Sequence, residues 1–558
     1  MKKIFFTFLL GLAAVTYADA CTNFIVGKNA SVDGSTIVSY AADSYTLYGF
    51  LRMQPAADHQ PGDMRQITDW DSGTPLMQIP EVAHTYSVVG NMNEFQVTIG
   101  ETTWGGVDKV WTLGEGIDYG SLIYVALQRS KTAREALMCI TELVEKYGYA
   151  SEGESFTIAD PNEVWIMDLT GRGAKGAVWV AVRVPDDCIS AHANQARITT
   201  FPQKGAKLQK DGFRMQSKDG QWMWHKDIIK VARQFGLVDS SVADADFSFQ
   251  AAYCPFDFSG LYACEARVWS FFRRFDESMD RYFAYATGQT FAMTNGRDAG
   301  EHMPLFVKPN RKVSVRDVQD AMRDQYQGTP IDITDGVDAG PWHSKLRFGG
   351  LGFELDSVQY WYPRPVATQQ TGWSFVAQMR GYDSAKAGGI FWFGVDDAAT
   401  SVYVPMYCRI TEVPECFREG NGDMLSYSST SAWWAFNLVA NWAYTKYSAM
   451  LPEIQVRQQK WEDEFAANVE SMDLKVASLS DADARQMLTR YSCDQAEKVT
   501  ADWHDLFTYL MIRYLDGQEK KVENGQFVRT ATGETEYPDR PACPVEYLNT
   551  IKNSVKHE

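Results

Sequence analysis

The sequence has 558 residues, of which 45% are hydrophobic and 22% are charged. This balance is typical of a globular protein and excludes a disordered chain, and the length leaves room for more than one domain. The formal net charge of −18 argues against binding of nucleic-acid phosphates, which requires clustered Lys and Arg.

The N-terminal segment 1–20 has the pattern of a secretory signal peptide. Two lysines precede an apolar run over residues 4–15, and Ala18 and Ala20 supply the small residues of an A-x-A cleavage site. The apolar run is too short for a permanent anchor, and no later stretch is predicted to span a membrane. We therefore expect an exported protein, periplasmic or secreted, whose mature chain begins at Cys21.

The next predicted elements are two β-hairpins. Apolar, β-branched runs at 22–28 and 35–41 flank one turn, and runs at 84–90 and 95–103 flank a second turn that contains Asn93. The first of these hairpins would begin one residue after the predicted cleavage site.

A helix is predicted over 131–148, where Thr132 and Glu135 form a capping box and Gly148 ends the helix. Strand-like runs then return, and from about residue 430 helices are predicted at 431–450, 452–476, 480–491 and 495–516. Hairpins interleaved with helices predict an α+β fold with mainly antiparallel sheets.

The predicted organisation has two portions after the signal segment. Residues 21–415 form the mixed α+β domain, and residues 416–558 form a mainly helical C-terminal portion. The sequence pattern changes gradually from strand-like to helical near 415–430, so the helical portion is either a separate unit or packed on the same domain.

The nine cysteines are an odd number, so pairing would leave at least one free thiol. Cys254 and Cys264, like Cys408 and Cys416, are close enough in sequence to pair locally, although spacing alone does not establish either disulfide. No zinc-type spacing of Cys or His occurs, so a metal site is not predicted.

Cys21 has three interpretations: a disulfide partner, a lipidated residue, or an N-terminal nucleophile. A lipobox prefers Leu at position −3, whereas Ala18 and Asp19 fit ordinary signal cleavage better. Cleavage would give Cys21 a free α-amine with an ordinary pKa near 8, a few bonds from its own thiol. One residue could then supply both nucleophile and base.

Ordered segments over most of the mature chain resemble the N-terminal-nucleophile cysteine dipeptidases, the family that includes the secernins. More distant relatives are the choloylglycine hydrolases and penicillin V acylases. The segments that carry the resemblance are 21–44, 93–103, 156–171, 178–198, 314–330, 374–380, 391–407 and 431–441. The resemblance implies a four-layer αββα sandwich, hydrolysis of dipeptides by Cys21 with its α-amine as base, and no cofactor.

The resemblance also implies roles for single residues. Asp43 would orient the Cys21 amine, and the side-chain amide of Asn93 would donate to the oxyanion. Asn194 matches a second asparagine of the pocket, and Arg267 matches a basic residue near the nucleophile.

One position departs from the family pattern. Many relatives have an arginine three residues before the aspartate, and this chain has Tyr40 there. Tyr40 cannot supply the positive charge that would bind a substrate carboxylate. Either Arg267 supplies the positive charge or the enzyme recognises this end of the substrate differently. An acid such as Glu101 would bind one end of a dipeptide.

Three functions follow as hypotheses. The first is an exported dipeptidase with a dipeptide substrate and a thioester intermediate. The second is an amidase for N-acyl amides such as conjugated bile acids or penicillin V. The third is a non-catalytic exported lipoprotein. Whether the chain forms a homo-oligomer is left open.

Overall fold

The computed structural model describes residues 21–348, 350–381 and 386–554. The predicted signal segment 1–20 lies outside the described residues. The strands are β1 Asn23–Val26, β2 Thr36–Asp43, β3 Met53–Gln54, β4 Ala57–Asp58, β5 Met64–Thr68, β6 Pro75–Pro80, β7 His84–Thr85, β8 Val88–Val89, β9 Met92–Asn93, β10 Thr98–Trp104, β11 Gly153–Ala159, β12 Val164–Gly171, β13 Ala177–Arg183, β14 Ile189–His192, β15 Lys207–Leu208, β16 Arg214–Gln216, β17 Trp222–His225, β18 Gly352–Leu355, β19 Val358–Trp361, β20 Thr371–Met379, β21 Ile390–Val395, β22 Val404–Tyr407, β23 Val522–Glu523 and β24 Gln526–Phe527.

The helices are concentrated in three stretches of the chain: after β10, between β17 and β18, and after β22. They are α1 Tyr119–Arg129, α2 Ala133–Tyr147, α3 Ile228–Gln234, α4 Phe249–Tyr253, α5 Ala266–Arg273, α6 Phe283–Ala286, α7 Gln289–Met293, α8 Val315–Met322, α9 Ala432–Ala443, α10 Tyr447–Ala477, α11 Asp481–Arg513 and α12 Val545–Ser554. None of the helices in the described ranges combines the length and apolar character that a membrane crossing needs.

Two large sheets dominate the structure. One has six strands in the order β14-β1-β2-β20-β21-β22, and the other has ten in the order β15-β16-β17-β13-β12-β11-β10-β9-β8-β3. Neighbouring strands in both sheets are antiparallel, with Ile25 opposite Val38 in the first and Glu101 opposite Phe156 in the second. This is the antiparallel arrangement that the sequence predicts.

The sheets contact each other through β1, β2, β10 and β11. Helices α1 and α2 pack on β10–β12, and buried side chains such as Ile123 and Leu137 fill that core. Helices α5, α8, α9, α10 and α11 pack on strands of the six-stranded sheet. The fold is therefore mixed α/β with large antiparallel sheets and a helical C-terminal region, while the predicted domain boundary at residue 415 stays a prediction.

The predicted local elements are largely present, with differences that have local causes. The first hairpin forms as β1–β2. The second is a three-strand meander, because the short β9 pairs with both β8 and β10. Thr132 caps α2 by accepting from the Glu135 amide at 3.1 Å, but the Glu135 carboxylate accepts from Lys131, so the capping box is only half formed.

The C-terminal helices differ in length from the prediction: α9 ends at Ala443, before the predicted end at residue 450, whereas α10 and α11 are longer than predicted. Helix α10 runs through Pro452, close to its N-terminal end. Helix α11 is continuous where two helices were predicted, and it begins at the predicted cap, since the Ser480 side chain accepts from the Asp483 amide. All nine cysteines are free thiols, so neither local pair is a disulfide here.

Candidate active site

Cys21 lies two residues before β1, the second strand of the six-stranded sheet. Its side chain is buried, with 6% of the residue exposed. The Sγ atom lies 3.4 Å from the Tyr40 hydroxyl and donates to Glu101 Oε1 at 3.4 Å. Since Tyr40 is on β2 and Glu101 is on β10, the thiol lies between the two sheets.

The thiol opens on a cavity of about 150 Å³. Its wall is rich in aromatic rings, and among the described residues that line it Arg52 alone is cationic. A β-bulge between Ala42 and Asp43 interrupts the alternation of β2, so both residues line the cavity together with Tyr40. The aromatic lining is Tyr40, Tyr48, Phe50, Trp70, Tyr119, Tyr124, Trp373 and Phe393.

Arg267 holds the backbone at Cys21 in place. It lies on α5, which follows a π-helical segment, and is fully buried. One terminal nitrogen donates to the Cys21 carbonyl and to Thr22 Oγ1, each at 2.8 Å, and the other donates to Asn194 Oδ1 at 3.0 Å. Its Nε donates to the Ala263 carbonyl, so each nitrogen of this guanidinium is hydrogen-bonded within the protein. Arg267 is not among the residues that line the cavity.

Asn194 follows β14 and has a φ of 58°, a left-handed conformation that Asn tolerates better than most residues. Its side-chain nitrogen donates to the Thr103 carbonyl at 2.6 Å, and Thr103 lines the cavity. Asn194 is thus linked to Cys21 indirectly, because Arg267 donates hydrogen bonds to both residues.

Asp43 is completely buried at the end of β2. It accepts from Thr371 Oγ1 at 2.7 Å and forms an ion pair with Arg364 at 3.3 Å. Burial raises the pKa of the Asp43 carboxyl, although the Arg364 charge opposes the rise. The carboxyl is also close enough to Cys21 to contribute to the raised pKa of the thiol.

Glu101 belongs to a pair of buried carboxyl groups. Its Oε1 accepts from the Tyr40 hydroxyl at 2.6 Å, and its negative charge contributes to raising the pKa of the Glu154 carboxyl on β11. Among the described residues, Glu101 Oε2 and Glu154 Oε1 are buried without a hydrogen-bond partner. Burial raises the pKa of both groups, and that of Glu154 lies well above its usual range. Both carboxyl groups therefore hold a proton more readily than exposed carboxyl groups do.

The surroundings do not favour a free thiolate on Cys21. Burial raises the pKa of the thiol well above its usual range, and the negative charge of Glu101 adds to the rise. Because the thiolate is the nucleophilic form, a group beside the sulfur must take the proton as the attack begins. In the described ranges, no group of three or more His, Cys, Asp or Glu is arranged to hold a metal ion.

Comparison with known proteins identifies the family. The sequence profile of peptidase family C69 matches residues 20–67 and 71–460. The chain belongs to peptidase family C69. This confirms the resemblance to the cysteine dipeptidases and the expectation of a peptidase.

Proteins similar to this C69 chain bear consistent names. A probable dipeptidase of Latilactobacillus sakei is 24% identical over 488 residues, which cover 83% of this chain and 89% of that protein. A probable dipeptidase of Salmonella dublin is 26% identical over 428 residues, covering 73% and 85%. Dipeptidase A of Lactobacillus helveticus is 23% identical over 450 residues, covering 76% and 82%.

One of the predicted site residues of this C69 chain, Asn93, lies away from the cavity. It is fully buried at the end of β9. Its side-chain nitrogen donates to the carbonyls of Leu127 and Ser130, each at 2.7 Å, and its oxygen accepts from the amides of Phe95 and Val97. The amide that was predicted to receive the oxyanion is thus bonded to backbone in this structure.

We expect an Asn93→Ala variant to lose stability rather than turnover. Removing an amide that serves four buried backbone groups should lower the free energy of unfolding by about 2–4 kcal/mol. The kcat of the folded fraction should stay within about threefold of wild type, whereas loss of an oxyanion donor lowers kcat by roughly 10²–10³-fold. Urea unfolding and active-site-titrated turnover measure the two quantities, with the exposed Asn162→Ala as the control.

Sequence reasoning missed two residues that complete the site of this C69 chain. Arg364 lies in the loop before β20 and pairs with Asp43 across 321 positions of sequence. Glu154 has no motif of its own, although the register of β10 with β11 places it opposite Thr103. The one sequence signal for Glu154 was the alternation of side chains along its own strand and along the neighbouring strand that contains Glu101.

Proposed function

We propose that the chain is an exported dipeptidase in which Cys21, once residues 1–20 are removed, attacks the scissile carbonyl. The observation that carries the proposal is the position of the Cys21 thiol, which faces a small cavity between Tyr40 and Glu101. Membership of peptidase family C69 and the names of the similar dipeptidases support the substrate class.

The proposed reaction begins with transfer of the thiol proton to the free α-amine of Cys21, which Asp43 orients. The sulfur then bonds to the carbonyl carbon, and the π electrons move to the oxygen. The proposal assigns the oxyanion to the second amide hydrogen of Asn194, because the first is donated to the Thr103 carbonyl and Arg267 links the Asn194 side chain to the Cys21 carbonyl. Collapse expels the second amino acid, whose nitrogen takes the proton from the Cys21 ammonium. Water hydrolyses the thioester with the same amine as base.

The substrate proposal assigns Glu101 to the ammonium end of the dipeptide. Glu101 lines the cavity, and its ionised carboxylate would present one negative charge to one ammonium group. Tyr40 then acts by holding Glu101 through its 2.6 Å hydrogen bond. In this role Tyr40 does not replace the missing arginine, because it orients an acid rather than supplying a cation.

The proposal also includes the architecture and the location of the protein. Helices α1 and α2 on one large sheet, helices such as α11 on the other, and contacts between the sheets support a four-layer αββα sandwich. The A-x-A pattern before Cys21 supports export to the periplasm or outside the cell. Packing of α9 and α11 on β21 and β22 favours a helical portion joined to the main domain.

The test compares dipeptides with N-acyl amino acids as substrates of the mature protein. A dipeptidase should hydrolyse Ala-Ala-type dipeptides at least about tenfold faster, in kcat/KM, than glycine or taurine conjugates or penicillin V. Preference for the N-acyl amides would favour the amidase alternative. Intact-mass measurement on the same sample decides the lipoprotein alternative, since a diacylglyceryl mass on Cys21 would contradict the proposal.

A further inference from the structure

The cavity beside Cys21 contains a cation that no part of the proposed mechanism uses. Arg52 lies directly before β3, and its carbonyl accepts from the Gly90 amide at 2.8 Å. Its side chain lines the same cavity as Cys21 and Glu101. About a third of the side chain, 31%, is exposed, so the guanidinium is open to a ligand that enters the cavity.

Aromatic rings hold this guanidinium in place. Its central carbon lies 4.5 Å from the centre of the Trp70 ring and 5.4 Å from that of Tyr124. The two rings are themselves stacked at 5.0 Å. A Cβ at Gly120 would come within 2.5 Å of the Trp70 ring, so glycine there lets α1 support the indole directly. The resulting platform orients the guanidinium without using its N–H groups.

The N–H groups of Arg52 are largely uncommitted. The structure records one ion pair for it, with Glu419 at 3.8 Å, and the Glu419 side chain is 64% exposed. That separation is too long for a hydrogen bond, and exposed pairs of this kind contribute little. In the described part of the chain, no side-chain hydrogen bond of Arg52 is recorded. Its donors are therefore available to an incoming carboxylate, which a guanidinium binds in bidentate fashion.

The other arginines near the nucleophile cannot take this role. Arg267 is fully buried and bonded to the protein at each of its nitrogens. Arg364 is buried and paired with Asp43. Neither lines the cavity. Arg52 is the one cation among the described lining residues, and the acids Asp43, Asp71 and Glu101 line the same cavity, so the lining can hold both charged ends of a short zwitterion.

We propose that Arg52 binds the C-terminal carboxylate of the dipeptide and so replaces the cation that Tyr40 lacks. The inference rests on the proposed function and makes it more specific. It restricts the enzyme to peptides whose carboxylate lies one residue beyond the scissile bond. A longer peptide would place an uncharged amide against Arg52.

The test compares a dipeptide with its C-terminal amide. Wild type should prefer the free acid by roughly 10- to 150-fold in kcat/KM, which is the range for a hydrogen-bonded charge pair. An Arg52→Gln variant should bring the acid-to-amide ratio of kcat/KM close to one, mainly by slowing hydrolysis of the acid. An Arg52→Lys variant keeps the charge and should retain part of the preference.

The matched control is Arg418→Gln, which removes an exposed arginine next to Glu419 and outside the cavity lining. It should keep the wild-type acid-to-amide ratio, which excludes a general effect of net charge. If Arg52→Gln fails to fold, the wild-type ratio and that of Arg52→Lys still decide the matter.

Equal rates of wild type on acid and amide would overturn the role of Arg52 while leaving a dipeptidase intact. So would an unchanged ratio in a folded Arg52→Gln protein. Failure of wild type to hydrolyse any dipeptide would instead overturn the proposed function, so the two failures are distinguishable.

Discussion

Replacing Cys21 by alanine in the mature protein is expected to lower kcat/KM for dipeptides by about 10⁴-fold or more. The sulfur is the atom that bonds to the scissile carbon, and the cavity offers no other thiol among its described lining residues. Initial rates on a dipeptide panel measure the loss. The fold should persist, because alanine removes one buried atom and leaves the Arg267 contact to the residue-21 carbonyl in place.

The control for this variant is Cys139→Ala, which removes a thiol on α2, in the core layer on the far side of the ten-stranded sheet. It should keep wild-type kcat/KM. Iodoacetamide should inactivate wild type with incorporation on Cys21. Substantial turnover by a folded Cys21→Ala protein would refute the assignment of the nucleophile and leave the family membership untouched.

The second large effect is expected from a chain that keeps Ala20 ahead of Cys21. Its thiol is unchanged, but the Cys21 nitrogen becomes an amide that cannot accept a proton. Because general bases contribute roughly 10²–10⁴-fold, kcat/KM should fall by a factor in that range relative to the chain that begins at Cys21. Both proteins are compared in dipeptide turnover after N-terminal sequencing establishes their first residue.

A matched pair of proteins isolates the amine in this experiment. Both forms contain the same thiol, the same Glu101 and the same Asp43. Equal alkylation of the two unfolded proteins establishes that their thiol content is equal. Equal activity of the two forms would contradict the role of the amine. In that case the proton acceptor would be Glu101, to which the Cys21 thiol already donates.

Local sequence patterns predicted much of the secondary structure because their determinants are local. The β-branched residues of β1 and β2 form the predicted hairpin, and Thr132 and Ser480 cap the helices expected of them. The joining of two predicted helices into α11 was not predictable from propensity. Its buried positions, such as Trp503, pack on the rest of the fold and stabilise a continuous helix.

The site was predictable only where a motif marked it. Cys21 and Asp43 belong to one segment of the family resemblance, and both line the cavity. Arg52 and Arg364 depend on contacts between distant segments, and nothing in their local sequence distinguishes them from surface arginines. Asn93 is the opposite case, a predicted site residue that lies away from the cavity. Sequence alone does not distinguish a turn asparagine from an oxyanion donor.

The contact between Asn23 and β10 has a consequence for how substrate enters. Asn23 Nδ2 donates to the Glu101 carbonyl at 2.6 Å, and a Cβ at Gly100 would lie 2.3 Å from Asn23 Oδ1. The two sheets are thus fastened together at the residues that flank the nucleophile and its acid. Separation of the two sheets cannot widen the entrance to the cavity without breaking this contact. The backbone amides of β1 and β10 should therefore be among the slowest to exchange with deuterium. The lining residues Tyr48 and Trp70 lie between strands, and we expect the amides of those segments to exchange faster than the amides of β1 and β10.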